Sequence, residues 1–465
     1  MLCAAATAAA RRRALTAVGA TVLAAIMLLI AAAYAHAAAY VPNEVLVGYA
    51  TRTPATARIA DARAAGATPT AAPAPGVRRL RLAPGTSVST AIARLRHRPG
   101  VRWVVPDFVA HAADAPLVPN DTGLSGLPGG WEQLQWNFVG PFGVQAPQAW
   151  ANLVADHADG GRGVTVAVLD TGVAYANRGR FRRSPDFAAS QFVRGHDFVS
   201  DSPYAVDHNG HGTHVAGTLA EETGNHYGLT GLAYGVRVMP VRVLDSQGAG
   251  DASVIAQGVR FAVAHGARVI NLSLEFGSDL TASDIPELID AIRLAHRRGV
   301  VVVAAAGNEG RRAVSYPARA RYVIAIGATT EHGCMSSFSN YGPAMALVAP
   351  GGGPDASLPG DPNCRPASPP GRDIFQITYT GSSPRKFGIP PGYVGTSMAT
   401  PHVSATVALI IASRVIGARP SPEAILARLR ATARPLGGTA DRARYGAGLL
   451  DAAAATAGPA RPARR

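Results

Sequence analysis

Lysine is almost missing from this chain: Lys386 is the only one among 44 basic residues. The formal charge of +14 is therefore carried by arginine. These arginines are scattered and lack interleaved aromatics, so no specific nucleic-acid surface is indicated. An alanine- and arginine-rich, lysine-poor chain points to coding bias in its source. Cysteine is nearly as scarce, with only Cys3, Cys334 and Cys364. That excludes a disulfide-rich scaffold and any cysteine-only zinc or iron–sulfur site. Charged residues are just 16% against 48% hydrophobic, which excludes a wholly disordered chain. No fixed-period repeat is present, and the 51 glycines follow no Gly-X-Y pattern.

What is there begins with Arg11-Arg12-Arg13, an apolar run from Ala14 to Ala33, and Ala35-His36-Ala37. A basic start, an apolar core and an A-x-A site predict a secretory signal peptide over 1–37. An uncleaved membrane anchor is the alternative. Residues 38–112 read as a small α+β unit. Strands are expected at 41–47, 77–82 and 101–105, helices at 51–66 and 87–96, and a loop at 68–75. The unit is assigned the split β-α-β-β-α-β pattern. A polar, Gly/Pro-rich connector spans 113–134. Beyond it lie seven apolar strand candidates, at 164–169, 192–199, 236–243, 268–274, 300–304, 322–326 and 346–349, several separated by helical stretches. Val/Ile/Ala-rich strands alternating with helices predict an α/β fold with a parallel sheet buried on both faces. This unit runs over 135–458, leaving an Ala/Arg/Pro tail at 459–465.

Three segments carry chemistry. The apolar run Val166–Leu169 ends in Asp170-Thr171-Gly172. In open α/β sheets, sites form at the carboxyl ends of strands, so Asp170 is either a turn former or a site carboxylate. The run Asp207–Thr218 holds His208, His211 and His214. His211 and His214 lack the intervening acid of a H-E-x-x-H zinc motif, and one imidazole acting as general base suits the run better. In Gly395–Ala405, Ser397 opens a helix expected to end near Ser413. Its neighbouring free N–H groups and the helix dipole favour an oxyanion; the plain alternative is an N-cap serine. A fourth segment, Ala304–Gly310, offers Asn308 as a turn residue or an amide donor. Taken together, a nucleophile, base, orienting carboxylate and oxyanion donor form one constellation. The order Asp…His…Ser is one the subtilisin type uses.

Asp170-Thr171-Gly172, His211–Gly217 and Gly395–Pro401 resemble the three signature motifs of the subtilisin-like serine proteases (subtilases). The resemblance covers about 135–457 and includes Gln145–Trp150 and Tyr445–Asp451. It implies a three-layer fold with a seven-stranded, mainly parallel sheet and helices on both faces. The 41–112 unit is similar to the family's ferredoxin-like inhibitory propeptide. By resemblance, Ser397 is the nucleophile, His211 the base and Asp170 its orienter, while Asn308 and the Ser397 N–H bind the oxyanion. Gly248, Ala249 and Gly250 match one substrate-pairing edge. Ser273, Leu274 and Glu275 match the other, and Ala306 and Gly307 complete the substrate-binding set. Tyr316-Pro317 matches a cis-proline position. Asp186, Asp121 and Asn225 fall where the family places calcium, with oxygen donors suited to that ion; no catalytic cofactor is implied. Cys334 and Cys364 form a candidate disulfide if the chain reaches an oxidising compartment.

Two departures stand out. The family usually has glycine where Glu275 stands, and the carboxylate either narrows the primary pocket or favours basic substrates. An arginine-rich insertion, 178–183, reads as a surface loop. The expectation is a secreted, monomeric endopeptidase acting on proteins or peptides, with its own propeptide as inhibitor and processing near 112–116. An inactive fold used as a binding module conflicts with the filled catalytic positions. A nucleotide enzyme conflicts with Gly248–Ser253, which lacks the third glycine of G-x-G-x-x-G. An α/β-hydrolase conflicts with the absence of G-x-S-x-G around Ser397.

Overall fold

The structure is a computed structural model describing residues 40–83, 86–108, 118–356, 361–362, 364, 366–367, 369–437 and 441–458. The predicted signal peptide, the expected processing stretch 112–116 and the tail 459–465 lie outside the described residues. The chain divides into two compact units, Met1–Asp114 and Ala115–Arg465.

In the first unit, strands β1 (Tyr40–Tyr49), β2 (Ala67–Ala71), β3 (Val77–Leu82) and β4 (Val101–Phe108) form an antiparallel sheet of order β2-β3-β1-β4. Helices α1 (Ala55–Ala64) and α2 (Val88–Leu95) complete the split pattern. The apolar spacing of α2 buries Val88, Ala91 and Leu95 against Val45, Val47 and Leu80. Ser87 caps this helix, its hydroxyl accepting from the Thr90 N–H at 3.1 Å. The expected loop at 68–75 is partly strand: Ala67–Ala71 pairs with β3 at the sheet edge. Its Pro69 hides the strand in the sequence, yet an edge position accommodates a missing N–H.

The second unit is built on a seven-stranded sheet of order β11-β10-β9-β8-β5-β7-β6, with every described pairing parallel. The strands are β5 (Thr165–Asp170), β6 (His196–Asp197), β7 (Arg237–Arg242), β8 (Val269–Leu272), β9 (Val301–Ala305), β10 (Val323–Thr329) and β11 (Met345–Pro350). Alternate side chains enter opposite cores. Val166 and Val168 join one with α3 (Ala146–Ala155), α4 (His211–Ala220) and α7 (Thr396–Ser413). Ala167 and Leu169 join the other with α5 (Ala252–Ala264) and α6 (Pro286–Arg297). Period-two side chains on a sheet buried on both faces thus yield three layers.

The candidate strand at 192–199 shrinks to His196–Asp197. Phe192 makes only an isolated bridge to Val238. Between the two pairings stands Pro240 of β7, which has no N–H to give the ladder. Of the 18 residues of α7, 16 are buried, so it is enclosed on every side rather than along one stripe, with its buried Thr400 and Thr406 hydroxyls bonded back to carbonyls of the same helix. Pro401 falls in its early turns, where few backbone bonds are lost. Among the described residues no helix is long and apolar enough to cross a membrane.

Candidate active site

Asp170 is the last residue of β5 and is fully buried. His211 opens α4, and Gly212 lets that helix lie directly on the end of β5. A Cβ at Gly212 would stand 2.1 Å from the Gly172 carbonyl oxygen. This approach brings His211 Nδ1 to 2.7 Å from Asp170 Oδ1. The same carboxylate oxygen accepts the Thr171 N–H at 2.7 Å. Burial pulls the His211 pKa down, but the adjacent Asp170 charge and hydrogen bond outweigh it, and the net direction is up. The carboxylate therefore fixes the tautomer, with the proton on Nδ1 and Nε2 free as a base.

The other two histidines of that run take structural places. His214 is buried, lies within 2.9 Å of the Ile374 carbonyl and stacks on Tyr393 at 4.1 Å. Burial lowers its pKa to about 3. His208 packs, with its ring tilted, against Phe181 of the arginine-rich insertion at 4.5 Å between ring centres.

Ser397 is the second residue of α7, so its N–H has no intrahelical acceptor. It shares one cleft of about 560 Å³ with His211. In this rotamer its hydroxyl donates to the Ser273 carbonyl at 3.2 Å, and Ser273 Oγ donates back to the Ser397 carbonyl at 2.8 Å. Resting hydroxyls of this kind realign when substrate binds. Asn308 follows β9. Its Oδ1 accepts from Thr396 N at 2.8 Å and Thr396 Oγ1 at 3.0 Å, and its Nδ2 donates to Glu275 Oε1 at 3.1 Å. The Asn308 amide is thus oriented by the residue immediately before Ser397.

The cleft is lined on one side by Gly248, Ala249 and Gly250 and on the other by Ser273, Leu274 and Glu275. Ala306 and Gly307 do not line it; both are buried behind Glu275. Glu275 Oε1 accepts from Asn308 N and Nδ2, each at 3.1 Å. Burial raises the Glu275 pKa. Tyr316–Pro317 is the one cis peptide bond among the described residues.

Sequence reasoning overlooked Asp207. It is fully buried and accepts from Thr171 Oγ1 at 2.8 Å and from Thr213 N at 2.9 Å. It therefore ties the turn after Asp170 to the helix carrying His211. Its place four residues before His211 was the available signal.

The three residues assigned to calcium come together. Asp186 Oδ1 accepts from Asn225 Nδ2 at 2.7 Å, and Asp121 accepts from Gly224 N and Asn225 N at 2.9 and 3.1 Å. Burial pushes Asp186 up to about 8 and raises Asp121. Buried Glu221, also raised by burial, adds a third carboxyl nearby. No ion pair among the described residues includes Asp121, Asp186 or Glu221. Among the described residues no cluster of three or more His, Cys, Asp or Glu stands in metal-holding geometry. Cys334 and Cys364 are joined as a disulfide.

Comparison with known proteins identifies the family. The Subtilase family model matches residues 161–448, and the fervidolysin N-terminal prodomain matches 29–107. The chain is 35% identical over 324 residues to a thermophilic serine proteinase of Bacillus sp. (strain AK1), covering 70% of this chain and 66% of that protein. It is 38% identical over 320 residues to subtilisin Savinase of Lederbergia lenta, covering 68% and 98% respectively. A solved protease structure from Pseudoalteromonas arctica superposes with a TM-score of 0.58 at 29% identity, over 73% of this chain and 99% of that one. The chain belongs to the subtilase family, as a subtilisin-like serine endopeptidase with an N-terminal prodomain.

Proposed function

We propose that the chain is made as a self-processing zymogen, exported, and matured to cleave extended protein substrates through Asp170, His211 and Ser397. The observation that carries this reading is the 2.7 Å contact of His211 with buried Asp170 in the cleft that also holds Ser397. A substrate segment lies between Gly248–Gly250 and Ser273–Glu275 and pairs through its backbone, as an added strand. Ser397 Oγ attacks the scissile carbonyl while His211 Nε2 takes its proton. Asp170 stabilises the resulting imidazolium and stays ionised. The oxyanion receives hydrogen bonds from Asn308 Nδ2 and the Ser397 N–H; losing one such donor costs about 10²–10³ in kcat, a magnitude measured on subtilisin itself. His211 then protonates the leaving amine, and water releases the acyl group by the same path in reverse.

In this reading 1–37 is the signal peptide, 38–112 the inhibitory propeptide, 113–134 a connector and 135–458 the catalytic domain, ahead of the tail 459–465. The mature enzyme works outside the cell as a monomer on protein or peptide substrates, without nucleic acid. Its disulfide suits an oxidising compartment. Calcium is proposed as a structural ion held by Asp186, Asp121 and the Asn225 amide. These are hard oxygen donors, and no ion pair among the described residues includes the buried carboxyls. Each carboxylate has about four acceptor sites, so the present hydrogen bonds leave capacity for a cation.

The test is labelling by a fluorophosphonate probe with mapping of the adduct. The expected adduct is on Ser397 of the matured protein, and Ser397→Ala accumulates as an unlabelled precursor. A matured protein that takes no label sinks the proposal.

A further inference from the structure

Glu275 occupies the place where the family usually has glycine, and its side chain does not point into open solvent. Its backbone direction is set by the next residue, whose N–H (Phe276) donates to the Tyr316 carbonyl at 2.8 Å. From there the carboxylate crosses to the loop after β9. Oε1 and Oε2 each accept the Asn308 backbone N–H at 3.1 Å, and Oε1 also accepts from Asn308 Nδ2 at 3.1 Å. Oε2 stands 2.4 Å from where a Cβ of Gly307 would be, so only glycine admits it there. The carboxylate thus spans the gap between the end of β8 and the Gly307 turn. Glu275 lines the cleft that holds Ser397, together with Phe276 and Gly277, whereas Ala306 and Gly307 are buried and do not line it.

We propose that Glu275 is a specificity-determining plug: its carboxylate closes the primary pocket, and the enzyme selects alanine or glycine as the residue preceding the cleaved bond. The inference rests on the proposed catalytic reading of Ser397 and its cleft. The carboxylate is held by donors on the far wall, so an incoming large side chain must break those bonds before it enters. Three N–H contacts from Asn308 already use most of the about four acceptor sites of this carboxylate, which leaves little for pairing with a basic substrate. The Asn308 amide has two N–H groups; Glu275 takes one and leaves the other for the oxyanion. The stretch where self-processing is expected, 112–116, holds Ala112, Ala113 and Ala115 and contains no arginine or lysine.

The experiment uses the self-matured full-length gene product and peptide p-nitroanilides that differ only in the residue before the scissile bond: alanine, leucine, phenylalanine and arginine. The wild type is expected to favour alanine by about tenfold or more in kcat/KM, the scale on which pocket shape discriminates. Glu275→Gln keeps the bulk and keeps that order. Glu275→Gly opens the pocket and moves the preference toward leucine and phenylalanine by a similar factor. A wild type that prefers arginine, leucine or phenylalanine overturns the assignment, as does a Gln variant that loses the alanine preference. If Glu275→Gly does not mature, the wild-type and Gln profiles decide alone. An enzyme that takes the fluorophosphonate but shows no such preference overturns only the plug. A protein that takes no label overturns the catalytic reading beneath it.

Discussion

Replacing Asp170 by asparagine isolates the electrostatic part of the proposed mechanism, because the two side chains have nearly the same shape. The carboxylate is fully buried and contacts His211 Nδ1 at 2.7 Å. Charge centres in such a contact lie about 4 Å apart, and at an effective dielectric of about 20 their attraction is about 4 kcal/mol. Removing it from the imidazolium-bearing transition state lowers kcat about 10³-fold. The amide also donates where it should accept, which favours the wrong tautomer; the corresponding change in another serine protease costs about 10⁴. The expected loss is therefore about 10³–10⁴. A variant this slow does not mature itself, so its prodomain is removed with immobilised wild-type enzyme, which is then withdrawn. Hydrolysis of an alanyl p-nitroanilide gives kcat, and thermal unfolding verifies that the fold is intact. A folded, matured variant within about tenfold of the wild type would refute the argument.

The pH profile supplies a second test. The base works when neutral and Asp170 raises the His211 pKa, so kcat/KM rises with pH and is half-maximal above the ordinary value of about 6.5; Asp170→Asn moves the midpoint down. Stability has its own pH dependence. Burial lowers His214 to about 3 and His402 to about 4. For these two groups the unfolded chain binds more protons than the folded one below about pH 6.5, so their contribution is full above that pH and is lost as pH drops toward 4, while raised carboxyls such as Asp186 act in the opposite direction. The histidine part is isolated by comparison: His402→Gln should lose less stability than the wild type between about pH 6.5 and pH 4 in melting curves. If calcium binds at Asp186 and Asp121, an excess of 100-fold over Kd adds about 2.7 kcal/mol; calorimetry in calcium against chelator reads it, and equal melting temperatures, or an increment unchanged in Asp186→Asn, reject the site. The Cys334–Cys364 bridge closes a separation of 30 residues, which in the chain-entropy treatment is worth about 3.5 kcal/mol; Cys334→Ala with Cys364→Ala should show that loss in denaturant unfolding.

Six of the seven sheet strands were legible because they are buried on both faces and read as largely apolar runs; the seventh, His196–Asp197, is two polar residues within the 192–199 stretch. Residues such as Val166–Leu169 leave no other use for so much branched hydrophobic surface. Their ends were less clear, as at Phe192, because a proline on the neighbouring strand interrupts pairing without changing the hydropathy of the segment it faces. β2 was missed because its alanines and Pro69 outweigh the strand preference of Thr68 and Thr70; its pairing with β3 makes it a strand. The catalytic candidates were legible as a set, since each required chemical role had a residue in a specific motif. Asp207 was passed over because its work is done through hydrogen bonds to Thr171 and Thr213, which sequence spacing does not display. Glu275 was visible as a departure, but its direction depends on a side-chain path across the cleft, and that path exists only once Gly307 and Asn308 are placed.

The central burial of α7 has a consequence for the timing of activity. A helix with 16 of 18 residues buried cannot be stable before the sheet and α4 have assembled around it, since most of its stabilisation comes from tertiary packing. The serine at its start has an ordinary hydroxyl until then, with neither an aligned base nor oriented amide donors. On the proposed mechanism, proteolytic competence therefore arrives cooperatively, as a property of the finished core. A nascent or misfolded copy is chemically harmless to its surroundings, and any substitution deep in α7 that loosens the core will tend to switch off the chemistry at the same threshold at which it unfolds the protein.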